Sequence, residues 1–165
     1  MASAKDVLLA QLGTGAYLLE KFTADLSDEE YFKVPVADGN HAAWNVGHIA
    51  CSEDSMVEGI TGGKKHIAEE THELFKGGSV CTPGATTYPT RADIDKMLHE
   101  ARERTVCALK AFDDAKWEEP SPEGYPKEVF PTIGAVWGMI GAHQFWHIGE
   151  LAVCRKALKK PPVLG

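Results

Sequence analysis

The segment HQFWHIGE, residues 143–150, sets His143 and His147 one helical turn apart inside an otherwise apolar stretch. Side chains at i and i+4 share a helix face, so both imidazoles can turn a nitrogen toward one ion. Upstream, WNVGHIACSED (44–54) supplies His48. On a helical wheel His48 lies with Asn45, Ser52, Ser55, Met56 and Gly59, small and polar groups suited to a cavity wall. His48 from one helix, with His143 and His147 from another, is therefore a candidate ligand set for one divalent metal ion. Three protein ligands leave coordination positions open, as a catalytic or substrate-binding metal requires and a structural one does not.

Plainer readings stand beside this one. A lone interior histidine is more often hydrogen-bonded core than ligand, and it is the pair in 143–147 that argues for metal. Cys51, three residues after His48, reads as a small buried apolar residue. His41 reads as an exposed residue at a helix start, and His66, His72 and His99 as surface or loop residues. Glu150 is either an acceptor for an imidazole N–H or a flank carboxylate. Trp44, Trp137 and Trp146 are pocket or core aromatics. The zincin spacing is met by His143 and His147, but the base position is Gln144, which cannot take a proton. A di-iron bundle needs paired carboxylates and two Glu-x-x-His motifs, which are missing, so one ion is expected.

The elements that hold these residues read as helices. Leu8, Leu12, Ala16, Leu19 and Phe22 recur at steps of three and four after Ser3 and Asp6, a capping-box pattern, and this helix should end near Ala24. The spacing predicts a second helix from about His41 to Ile60, closed by TGGKK, and a third from Thr90 through Ile94, Leu98, Ala101, Ala108 and Phe112. A fourth follows Pro131 to about Leu158, with Ile133, Val136, Trp137, Ile140, His143, His147, Leu151, Cys154 and Leu158 on one side. The links Thr61–Pro89, with a short helix at EETHELF, and Asp113–Pro131 are long enough to be crossovers or site walls. The expectation is an all-α four-helix bundle with a long crossover, one domain over residues 1–165.

Composition bounds the partners. The 165 residues are 44% hydrophobic and 25% charged, enough for one compact core. A net charge of −7 without a basic run leaves no footprint for nucleic acid. Cys51, Cys81, Cys107 and Cys154 form no Cys-x-x-Cys pair, and the N-terminal segment meets charge before a signal-peptide core is built. A reduced, cytoplasmic protein is expected. Residues 129–149 carry no Asp, Glu, Lys or Arg, but Pro131, several glycines and both histidines argue against a membrane span. Gly134, Gly138, Gly141 and Gly149 form a stripe with Phe145, for which close helix packing or a homodimer contact is expected.

WNVGHIACSED followed about a hundred residues later by HQFWHIGELAVCRKAL resembles the DinB-like family of metal-binding four-helix bundles. The family pattern matches His48, His143, His147, Gly149, Leu151 and Arg155, with Glu150 where glutamine is frequent. The resemblance implies that the three histidines bind a divalent ion such as zinc, nickel or iron. It also implies kinship with enzymes that use a low-molecular-weight thiol for S-transfer or isomerisation on a small-molecule substrate. Three readings follow: a thiol-dependent S-transferase acting on a small electrophile, a metal-dependent hydrolase, and a non-catalytic metal- or ligand-binding bundle. No catalytic residue beyond the metal ligands is selected by spacing.

Overall fold

The computed structural model describes residues 2–164. Its α-helices are α1 (Ala4–Thr23), α2 (Asp28–Tyr31), α3 (Ala42–Thr61), α4 (Glu69–Phe75), α5 (Arg91–Ala111) and α6 (Ile133–Ala157). No strand occurs among the described residues; one isolated bridge joins Pro120 to Thr132. The architecture is the expected all-α bundle, built from α1, α3, α5 and α6.

Local chemistry sets the helix ends. Ser3 Oγ accepts from Asp6 N at 3.2 Å while the Asp6 carboxylate accepts from Ser3 N at 2.8 Å, the reciprocal cap read from sequence. Thr90 and Thr132 cap α5 and α6 through their hydroxyls. Gly62, at φ 68, closes α3 in the left-handed region that glycine enters without strain. His41 departs from its expected exposure. Its Nδ1 accepts from Trp44 N at 2.9 Å as the cap of α3, and the residue is fully buried.

Cross-helix bonds fix the directions. Arg91 reaches Thr23 O, Arg102 reaches Leu12 O and Lys5 reaches Phe112 O, so α1 and α5 are antiparallel. Gly15 lies under Gln144 and Phe22 O accepts from Arg155, so α1 and α6 run together. Asn45 meets His147 and His48 meets His143, which makes α3 and α6 antiparallel. It follows that α3 and α5 are parallel neighbours. Residues 62–90 must then return along the length of a helix, and this crossover lays α4 against α3.

Two apolar clusters fill the bundle. One gathers Leu19, Phe22, Tyr31, Ile49, Phe75 and Leu151; the other gathers Leu12, Ile60, Leu109, Val136, Trp137 and Ile140. Between them along the helices lie buried polar groups, including Glu53, whose carboxylate takes Arg102 Nε at 3.0 Å. The Arg102 guanidinium also donates to Leu12 O at 2.6 Å, so the buried charges are paired and hydrogen-bonded, the condition for tolerating them.

The α6 glycines divide into two groups. A Cβ on Gly141 would stand 2.5 Å from Gln11 Oε1, and one on Gly134 would stand 3.0 Å from the Trp117 ring, so these two admit close neighbours within the chain. Gly138 and Gly149 have open space above them. Among the described residues no helix is long and apolar enough to cross a membrane.

Candidate metal centre

Helix α3 carries WNVGHI because two neighbours demand it. A Cβ on Gly47 would collide with the Phe75 ring, so glycine lets the crossover press against α3. That approach brings Phe75 O to 2.6 Å from His48 Nδ1. A carbonyl only accepts, so Nδ1 carries the hydrogen and Nε2 keeps its lone pair. Trp44 stacks on the same imidazole with 4.7 Å between centroids and 8° between planes, and its indole N–H donates to Ser79 Oγ at 3.0 Å. The His48 ring is thus held at its nitrogen and across its face.

His147 is held by a second relay. Asn45 donates through Nδ2 to His41 O at 3.1 Å, which turns its Oδ1 toward His147 Nδ1 at 2.8 Å. The imidazole donates there, leaving Nε2 bare. Glu150 Oε2 lies 3.4 Å from the same nitrogen as an electrostatic neighbour, and the His147 ring beside it holds its carboxyl below the ordinary range. Both outcomes left open for Glu150 are partly met: it flanks the pair and faces an imidazole, but Asn45 is the hydrogen-bond acceptor.

The bare nitrogens converge. His143 Nε2 stands 3.3 Å from His48 Nε2 and 3.2 Å from His147 Nε2, and the ligand atoms of all three lie within 4.8 Å of one another. A tetrahedral ion with nitrogen ligands at 2.0–2.1 Å has nitrogen–nitrogen edges of about 3.3 Å. The donor set therefore fits a cation. His143 Nε2 has at most one hydrogen to offer two lone pairs, and the Ser52 hydroxyl is a second, long donor at 3.4 Å from His48 Nε2. Burial, then the His147 and His48 rings, pushes the His143 pKa down to about 4, so its imidazole is neutral at pH 7. His48 is lowered chiefly by burial. Among the described residues no partner reaches the buried His143 Nδ1, so this imidazole lacks the support given to the other two.

The centre opens on a cleft of about 380 Å³ lined by His48, His143, Ser52, Ser55, Met56 and Met139, among others. Ser52, Ser55 and Met56 of the α3 face read from sequence line it, while Asn45 is buried behind His147 and Gly59 packs toward Tyr125. Trp137 is instead core, and Trp146 is 68% exposed. Cys51 is buried, and burial pushes its thiol up to about 12, as a core residue rather than a ligand. His72 departs from its expected place on the surface: it is 7% exposed, with Nε2 3.2 Å from Asp54 Oδ2. His72 carried no spacing signal, and Asn45 shared the His48 face without any sign of its bond to His147, which lies far away in sequence.

Residues 11–151 match the DinB superfamily. A comparison with curated proteins gives no match.

Proposed function

The chain belongs to the DinB superfamily, and from that premise we propose that His48, His143 and His147 hold one divalent ion, zinc, nickel or iron, in a thiol-dependent S-transferase acting on a small electrophile. The observation that carries the reading is the convergence of three Nε2 atoms, two with their tautomer set by Phe75 O and Asn45 Oδ1, at spacings that suit one cation. When bound, the ion supplies Lewis acidity that lowers the pKa of a thiol beside it. Neutral imidazole ligands leave that cationic charge undiminished. The chain's own part is to orient the three rings, to exclude water on the bundle side, and to receive the apolar body of the electrophile against Met56, Phe75, Phe130 and Met139.

Free thiols at Cys51, Cys81, Cys107 and Cys154 support a reducing, cytoplasmic setting. The outward face of α6, with Trp146 and Val153 exposed, supports a homodimer contact. Metal-loaded protein mixed with 2-mercaptoethanol and a chlorodinitrobenzene is expected to release chloride with thioether formation, and His147→Ala to abolish it. Equal turnover by His147→Ala sinks the reading. Turnover of an ester without thiol would support the hydrolase, and a metal-bound but inert protein the binding bundle.

A further inference from the structure

The cleft beside the three histidines also takes His72 and Ser55 in its lining, with Asp54 behind His72. Asp54 is 5% exposed and accepts from His66 N at 3.0 Å, from Ile67 N at 3.0 Å and from His72 Nε2 at 3.2 Å, with Arg104 of α5 at 3.5 Å. Two backbone donors anchor that carboxylate and the Arg104 guanidinium faces its charge. What the contact does is fix His72. A carboxylate accepts, so Nε2 carries the hydrogen and Nδ1 is the bare, basic nitrogen. That nitrogen faces Ser55 Oγ at 3.4 Å, long for a hydrogen bond, so its lone pair is little used. His72 and Ser55 both line the cleft with His48 and His143. Lys76 is the other charged group on the wall.

We propose that His72 is the proton acceptor of this site, held in its tautomer by Asp54 and reached through the Ser55 hydroxyl. The inference rests on the thiol reading above. A thiol S–H in the cleft gives its proton to Ser55 Oγ as the Ser55 hydrogen passes to His72 Nδ1. The electron pair stays on sulfur, and the imidazolium that forms lies against the Asp54 carboxylate. Nothing is oxidised or reduced. The arrangement is that of a base oriented by a carboxylate, with a hydroxyl as the relay.

The test is a proton inventory. Cobalt-loaded protein in weak buffer at about pH 7.5, where an ordinary histidine is neutral, is titrated with 2-mercaptoethanol, reading the thiolate-to-metal charge-transfer band and the protons released with an indicator dye. Wild type is expected to develop the band while releasing well under one proton per thiol, with the His72 15N resonances moving to imidazolium positions. His72→Gln keeps an N–H for Asp54 and cannot take the proton; it should bind the same metal and show the same band, releasing one proton. Ser55→Ala, which removes the hydroxyl facing His72 at 3.4 Å, should slow the uptake of that proton. One proton released by both wild type and His72→Gln, with the band present, overturns the acceptor role and leaves the thiol reading intact. Absence of the band in wild type overturns both.

Discussion

Asn45 is the clearest place to perturb the centre without touching a ligand. Its side chain is fully buried and makes two bonds, donating to His41 O at 3.1 Å and accepting from His147 Nδ1 at 2.8 Å. Asn45→Ala removes the acceptor that fixes the His147 tautomer, and loss of such a partner costs roughly 10- to 100-fold in metal affinity, or about 1.4–2.7 kcal/mol. It also leaves the buried His147 N–H with only Glu150 Oε2 at 3.4 Å, a loss of about 1–3 kcal/mol of stability at most, while the His41 carbonyl keeps its bond from Asn45 N at 3.2 Å. Asn45→Asp separates the two effects, because it keeps an acceptor for His147 while losing the donor to His41 and burying a carboxylate against that carbonyl, which lowers stability. Zinc affinity by chelator competition, with thermal unfolding of the metal-free protein alongside, should order the three as wild type and Asn45→Asp together, with Asn45→Ala weaker by at least tenfold. Equal affinity in wild type and Asn45→Ala would refute the claim that Asn45 orients a ligand.

Three further outcomes are expected. Gly47→Ala sets a Cβ against the fully buried Phe75 ring, so it should cost about 1–3 kcal/mol of stability as overpacking and weaken zinc binding as Phe75 O leaves His48; urea unfolding and chelator competition check both. Because the folded pKa of His143 is pushed down to about 4 from an unfolded value near 6.5, the unfolded chain takes up a proton first as pH falls. Stability of the metal-free protein is therefore full above about pH 6.5 and declines toward pH 4 by at most about 3 kcal/mol; urea titrations of His143→Asn should lack that part of the slope. Gly138 has open space above it, so Gly138→Leu should raise monomer stability by up to about 1 kcal/mol through helix propensity and, if the outer face of α6 holds a second copy, lower the mass by light scattering. Unchanged mass removes the homodimer.

The long helices and the histidine faces were legible because period, caps and terminators are local signals. Ser3 with Asp6, Thr90 and Gly62 each act at the position their chemistry implies. The side of α6 that carries Ile140, His147 and Leu151 is the buried one. What could not be read depends on distant partners. His41 and His72 are polar residues in polar surroundings by sequence, yet one caps α3 and the other meets Asp54 only once the crossover has folded back. The Glu53–Arg102 pair likewise joins two helices whose neighbourhood the sequence does not state. The glycine stripe combines two kinds of position: Gly134 and Gly141 accept neighbours from the same chain, while Gly138 and Gly149 have open space above them.

Everything proposed for the centre depends on His48, His143 and His147 sharing one cation. Anomalous diffraction from crystals of the metal-loaded protein, collected on either side of the metal's absorption edge, tests that directly. A single strong peak is expected about 2.0–2.1 Å from all three Nε2 atoms, lost in crystals of His147→Ala. A peak elsewhere on the chain, or loaded crystals with none between these rings, would contradict it.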